Sequence, residues 1–219
     1  MTQDAKSTET PSLRLNLGCG FLYDPAYTNV DSSKECAPDL VWDLEKTPWP
    51  WQDDSVSEIR LFHVLEHLGQ TSESYFDIWK EMWRVCRNGA LVHIRVPHWH
   101  HENFYNDPTH LRPITPTGVG EFDQTHNRRS LERGGGGGAP FGLLHGIDFE
   151  LRPEDIEYFY TQKVADQVFS GAISREMLEH LREHQNNISN EVRMTVRAMK
   201  PGRETSWFAA YQDAKRRRG

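Results

Sequence analysis

Residues 12–20 read SLRLNLGCG, and the fold turns on what this stretch becomes. Leu13, Leu15 and Leu17 alternate with Arg14 and Asn16, the two-residue period of a strand that buries one face. The run ends in Gly18-Cys19-Gly20, a tight turn whose glycines let the backbone come close to a ligand. Amides exposed at such a turn suit a carboxylate or a phosphate. Taken alone, the six residues LNLGCG weigh equally for a ligand site and for a plain turn. The next segment shifts the balance. AYTNVD (26–31) is a second short β-type run, and its closing Asp31 is placed to accept hydrogen bonds from both hydroxyls of a ribose. Turn and acid together point to a nucleoside. The dinucleotide pattern fits poorly, because Tyr23 stands where a third glycine belongs and the acid follows Gly20 closely.

Outward from there, DLVWDLE (39–45) reads as a third strand carrying Asp43, and SVSEIRLFHVLEHL (55–68) supplies a fourth near 57–63. Thr71 or Ser72 caps a long helix in which Tyr75, Phe76, Trp79, Met82, Trp83 and Cys86 form one apolar stripe until Asn88-Gly89 stops it. ALVHIRVP (90–97) is a fifth strand, so strands and helix alternate as a parallel sheet requires. Residues 98–147 change character: they are rich in His, Pro, Gly and Asn, include the run Gly134–Gly138, and read as a long insertion or lid. Beyond them IDFELRPEDIEYFY reads as a strand, SREMLEHLREHQNN as a helix, and EVRMTVRAMK as a last strand with Val192, Met194, Val196 and Ala198 on one face. The expectation is an α/β protein: one domain over 13–200 built on about seven strands, with tails at 1–12 and 201–219.

Composition narrows the function classes. The 219 residues carry a formal charge of -7, and the one clear basic run, Lys215–Arg218, sits at the C-terminus, a poor match to a nucleic-acid binder. No run of apolar residues is long enough to span a membrane, and the polar start resembles no secretory signal, so a cytoplasmic protein is expected. Cys19, Cys36 and Cys86 lack the short paired spacing of a zinc or redox motif.

PHWHHENFYNDPTH (97–110) concentrates four histidines with a Glu and an Asp. His98, His101, Asp107 and His110, with Glu102 in reserve, have ligand atoms suited to zinc or iron. Pro97 and Pro108 break any shared helical face, so the expectation is no metal. His101 and His110 are instead the candidate catalytic bases, since they follow the fifth strand, where open α/β sheets bind ligands. His63 and His67, four apart, read as packing or capping residues, Trp49 and Trp51 as a packed turn, and Arg112 as a brace to Asp107.

The ordered series LNLGCG, NVD, DLEKTPWPWQDDSVSEI, HVLEHL and EMWRVCRNGALVHIRVP resembles the class I S-adenosylmethionine-dependent methyltransferases, in particular the small type 11 group, over about residues 13–97. The resemblance implies a Rossmann-like, mostly parallel sheet with an antiparallel last strand and helices on both faces. It implies S-adenosylmethionine as cofactor, with Gly18 and Gly20 along the methionine moiety, Asp31 on the ribose, Asp43 near the adenine amino group and His63 beside the cofactor. One departure is the short first crossover, which leaves less to cover the adenosine. The expected activity is methyl transfer to a small-molecule or glycan-type acceptor bound by the 98–147 insertion. Two alternatives stay open: a metal-dependent hydrolase or oxygenase using the 98–110 histidines, and a non-catalytic cofactor-binding subunit.

Overall fold

The computed structural model describes residues 12–134 and 138–200. The expected tails up to Pro11 and from Pro201, the Lys215–Arg218 run and Gly135–Gly137 lie outside the described residues. Seven strands form one sheet in the order β3-β2-β1-β4-β5-β7-β6. They are β1 (Leu13–Leu17), β2 (Thr28–Asp31), β3 (Leu40–Val41), β4 (Val56–Phe62), β5 (Cys86–Pro97), β6 (Phe149–Tyr160) and β7 (Ser189–Ala198). The pairs from β3 through β5 are parallel, and β7 runs antiparallel to both β5 and β6. This is the mostly parallel sheet with an antiparallel last strand that the sequence leads one to expect. The third strand is shorter than expected and stops before Asp43.

Register explains which face is buried. Leu15, Leu17, Val30, Ile59, Leu61, Val92, Ile94, Val192, Met194 and Val196 lie on one side and are fully or almost fully buried. Helix α1 (Ser72–Val85) crosses from β4 to β5 and packs Ile78, Trp79, Met82 and Val85 against this side. Thr71 and Ser74 cap its start reciprocally through side chain and backbone. The helix ends at Val85, short of Asn88-Gly89, because Cys86 already takes an extended conformation and pairs with Val56.

The opposite side of the sheet carries Arg14, Glu58, Arg60, Phe62, His93, Arg95, Arg193 and Thr195, all part-exposed. All of them but Arg14 border an open cleft of about 340 Å³. Charge on alternate positions keeps this face part-exposed, with Arg14, Arg60 and Arg193 paired to Glu58, Asp24 and Glu191.

The 98–147 segment also departs from expectation. Its described residues hold four short helices: α2 (Glu102–Asn106), α3 (Pro116–Gly120), α4 (Gln124–Glu132) and α5 (Phe141–His145). Ile114, Val119, Phe122 and Ile147 enter the main core, and Phe122 stacks on Trp79 with ring centroids 4.1 Å apart. Between β6 and β7 lie α6 (Gln162–Phe169), which the sequence reading missed, and α7 (Arg175–His184), whose Arg182 sits over Tyr158 of β6.

No helix joins β1 to β2. A buried amide network holds that connection instead. Asn16 donates to Leu22 O and Asn29 Oδ1, while the Asn29 amide donates to Asp24 O, Tyr27 O and Asp39 Oδ2.

Candidate functional site

The carboxyl ends of β1, β2 and β4 meet the start of the segment after β3 around a cavity of about 230 Å³. Gly18, Asp31, Asp43 and His63 line it together with Ser32, Trp42, Leu44, Val64, His67 and Leu68. Four of the five expected cofactor residues thus share one space, and the fifth, Gly20, acts through Asp31. Its amide donates to Asp31 Oδ2 at 2.8 Å, while the Ser33 amide donates to Oδ1 at 2.9 Å. Each carboxylate oxygen keeps a lone pair for a ligand hydroxyl. Gly18 has a positive φ of 63°, and a Cβ there would lie 2.5 Å from Val64 Cγ2. The turn and Val64, two residues past β4, pack closely, which is why only glycine fits.

Asp43 is held by the Glu45 amide at 3.1 Å, with Lys46 Nζ at 3.8 Å. Trp42 was not foreseen as a site residue; its indole N–H is buried at the cavity without a hydrogen-bond partner. An unpaired buried donor costs free energy until something accepts from it, so it marks a polar contact for a ligand.

His63 takes a left-handed φ of 56° and anchors its amide on Arg95 O at 2.8 Å. Its Nε2 lies 2.8 Å from Glu191 Oε2 and its Nδ1 3.4 Å from Glu66 Oε1. The bond to Glu191, then the Glu66 carboxylate beside Nδ1, raises the imidazole pKa to about 9. At neutral pH it is a cation and does not accept a proton.

The histidines after β5 disperse. His98 is 1% exposed, with Nδ1 accepting from the His100 amide and the ring stacked on Trp99; burial, then the neighbouring His100, lowers its pKa to about 4. His101 caps α2, its Nδ1 accepting from the Asn103 amide, and it does not line the cavity. His110 turns the other way: Nδ1 bonds Phe104 O at 2.7 Å, and Nε2 points to Glu66 Oε1 and Asp107 Oδ2, each 4.0 Å away. His98, His101, Asp107 and His110, the residues with ligand atoms in this stretch, do not converge, because local backbone amides claim the first two.

Other side chains resolve by contact. Trp49 is a packed residue, its indole bonded to Leu44 O and its amide to Glu81, which Arg84 pairs. Trp99 packs on His98 and Tyr158 away from the cavity. Arg112 does brace the loop, but through Gly69 O and the Tyr75 ring rather than Asp107.

No protein-family profile matches the chain, and no curated protein matches it. Among solved structures, it is similar to a SAM-dependent methyltransferase from Archaeoglobus fulgidus, at 17% identity and a TM-score of 0.55, over 85% of this chain and 86% of that one. A SAM-dependent methyltransferase from Methanosarcina mazei matches at 11% identity and TM-score 0.47, over 84% and 91% of the two chains. One from Mesorhizobium loti matches at 15% and 0.44, over 84% and 90%. The first of these carries the comparison: this chain has the fold of class I S-adenosylmethionine-dependent methyltransferases.

Proposed function

We propose that the protein binds S-adenosylmethionine in the cavity beside Gly18 and Asp31 and transfers its methyl group to a small-molecule or glycan-type acceptor. The observation that carries this reading is the convergence of Gly18, Asp31, Asp43 and His63 on one cavity at the carboxyl edge of the parallel strands, where open α/β sheets take their ligands. Asp31, oriented by two amides, receives the ribose hydroxyls. Gly18 lets the methionine end approach the backbone, while Asp43 and the Trp42 N–H serve the adenosine. His63, a fixed cation between two carboxylates, shapes the wall and takes no proton. The sulfonium already activates the methyl group, so the protein's main task is to place a nucleophile in line with it. His67, which lines the cavity, and the neighbouring His110 mark the acceptor side, their ring centroids 4.6 Å apart. His101 is engaged as a cap through Nδ1 and does not line the cavity.

Calorimetric titration with S-adenosylmethionine and S-adenosylhomocysteine tests the cofactor assignment. Wild type is expected to bind both, and Asp31→Ala to weaken each at least tenfold, about 1.4 kcal/mol. Absence of binding to wild type at millimolar ligand would sink the reading.

A further inference from the structure

The cavity wall between His63 and His67 hides a carboxylate that the cofactor does not use. Glu66 is 0% exposed, and neither of its oxygens accepts a hydrogen bond. Its one near cation, the His63 imidazole at 3.4 Å, is claimed more closely by Glu191 at 2.8 Å. A buried carboxylate so weakly matched is costly. Ligand atoms of Glu66, His67 and His110 lie within 4.8 Å of one another.

The hydrogen bonds around the two imidazoles set their tautomers. Phe104 O can only accept, so His110 carries its proton on Nδ1 and presents the Nε2 lone pair toward Glu66. Thr109 Oγ1 donates to Asp107 Oδ1 at 2.6 Å, so at 2.8 Å it accepts from His67 Nδ1, and the His67 Nε2 lone pair is free. Two imidazoles and a buried carboxylate thus cluster, each imidazole oriented by an outer acceptor as metal-binding histidines are. The 4.0 Å between His110 Nε2 and Glu66 Oε1 is too long for a hydrogen bond, and it is within the ~4.2 Å that two ligands at about 2.1 Å from one ion can span.

We propose that Glu66, His67 and His110 bind a divalent transition-metal ion beside the cofactor cavity, and that the ion receives the hydroxyl oxygen of the methyl acceptor. Two imidazoles and a carboxylate suit zinc, cobalt or manganese better than magnesium and leave positions open. The second half of this inference rests on the methyltransferase reading; the first does not. With the acceptor bound, the ion stabilises its alkoxide and the hydroxyl proton leaves to solvent. The oxygen electron pair then forms the C–O bond as the C–S bond breaks, releasing neutral S-adenosylhomocysteine.

The test uses the full chain, freed of any affinity tag and treated with chelator. Cobalt(II), titrated as a spectroscopic stand-in, is expected to give visible bands that saturate at one equivalent and are displaced by zinc. Glu66→Gln and His110→Ala should each weaken binding at least tenfold. Thr109→Val, which removes the acceptor for His67 Nδ1 together with the hydroxyl bond to Asp107 Oδ1, should weaken it by about tenfold. Glu66→Gln is isosteric, so it decides the matter if His110→Ala fails to fold. No saturable cobalt binding by wild type, or equal binding by Glu66→Gln, overturns the site. Acetohydroxamate, an oxygen chelator standing in for a hydroxylated acceptor, should shift the bands; unshifted bands overturn the acceptor role. S-adenosylhomocysteine titrated into the same metal-free sample reports on the cofactor alone, so failure of that reading is seen separately.

Discussion

At the scale of single residues, the two glycines of the first turn are not equivalent. A Cβ at Gly18 would collide with Val64 at 2.5 Å in a backbone of φ +63°, whereas Gly20, at φ +51°, has nothing within 4 Å. Gly20→Ala should therefore cost the left-handed penalty alone, about 1–2 kcal/mol. Gly18→Ala must also push β1 from the residue that follows His63, and it should weaken S-adenosylhomocysteine binding at least tenfold more than Gly20→Ala does. Paired titrations and melting curves check this, and equal behaviour of the two variants would refute it. His98 makes a different prediction. Its folded pKa of about 4 lies below the ordinary 6.5, so between those values the unfolded chain binds a proton that the folded chain refuses. Stability from this group is complete above about pH 6.5 and is lost as pH falls toward 4, a loss on the order of 2–3 kcal/mol. In His98→Asn an amide oxygen takes over as acceptor for the His100 amide without titrating, so its melting temperature should fall less between pH 7 and pH 5 than that of wild type.

At the scale of elements, the connection from β1 to β2 shows how a crossover helix can be replaced. Asn29 is 0% exposed, and its side chain joins Asn16, Asp24, Tyr27 and Asp39. Asn29→Leu leaves those partners unsatisfied and should cost about 2–4 kcal/mol while loosening the Gly20 loop that orients Asp31. Chemical denaturation would measure the cost; a loss under 1 kcal/mol would deny the network its anchoring role. The element pattern explains what could be read in advance. Alternating leucines at 13–17, the stripe on α1 and the faces of β7 are local periodicities, and they appear where the periods place them. Gly18 and Asp31 were legible for the same reason, since each ends a strand. The grouping of Glu66 with His110 was not, because it depends on a long-range contact, Leu111 N–H to Glu66 O at 2.8 Å, which no local spacing encodes. His98 and His101 misled because short polar loops spend such side chains on their own backbone amides.

At the scale of the whole molecule, the sheet is covered unequally. Its polar face stacks guanidinium groups on aromatic rings, Arg60 over Tyr27 at 3.7 Å and Arg95 over Phe62 at 3.9 Å, which helps to satisfy the charges on a face that stays part-exposed. The apolar face consequently carries the burden of stability, and the 98–147 segment supplies part of that face rather than hanging over it. Trp79 of α1 stacks on Phe122 at 4.1 Å and meets Phe149 of β6 edge-on at 5.3 Å, so helix, inserted segment and distal strand share one aromatic contact. A separately folding lid would lose its own order first. An integral segment should instead take the whole molecule with it. Phe122→Ala, at a side chain 1% exposed, is expected to cost about 3–5 kcal/mol. Calorimetry should still show a single transition, with calorimetric and van't Hoff enthalpies in agreement. An early, separate transition, with the main melting temperature unchanged, would show that the segment is an independent cover. The acceptor side at His110 would then open and close without disturbing the cofactor cavity.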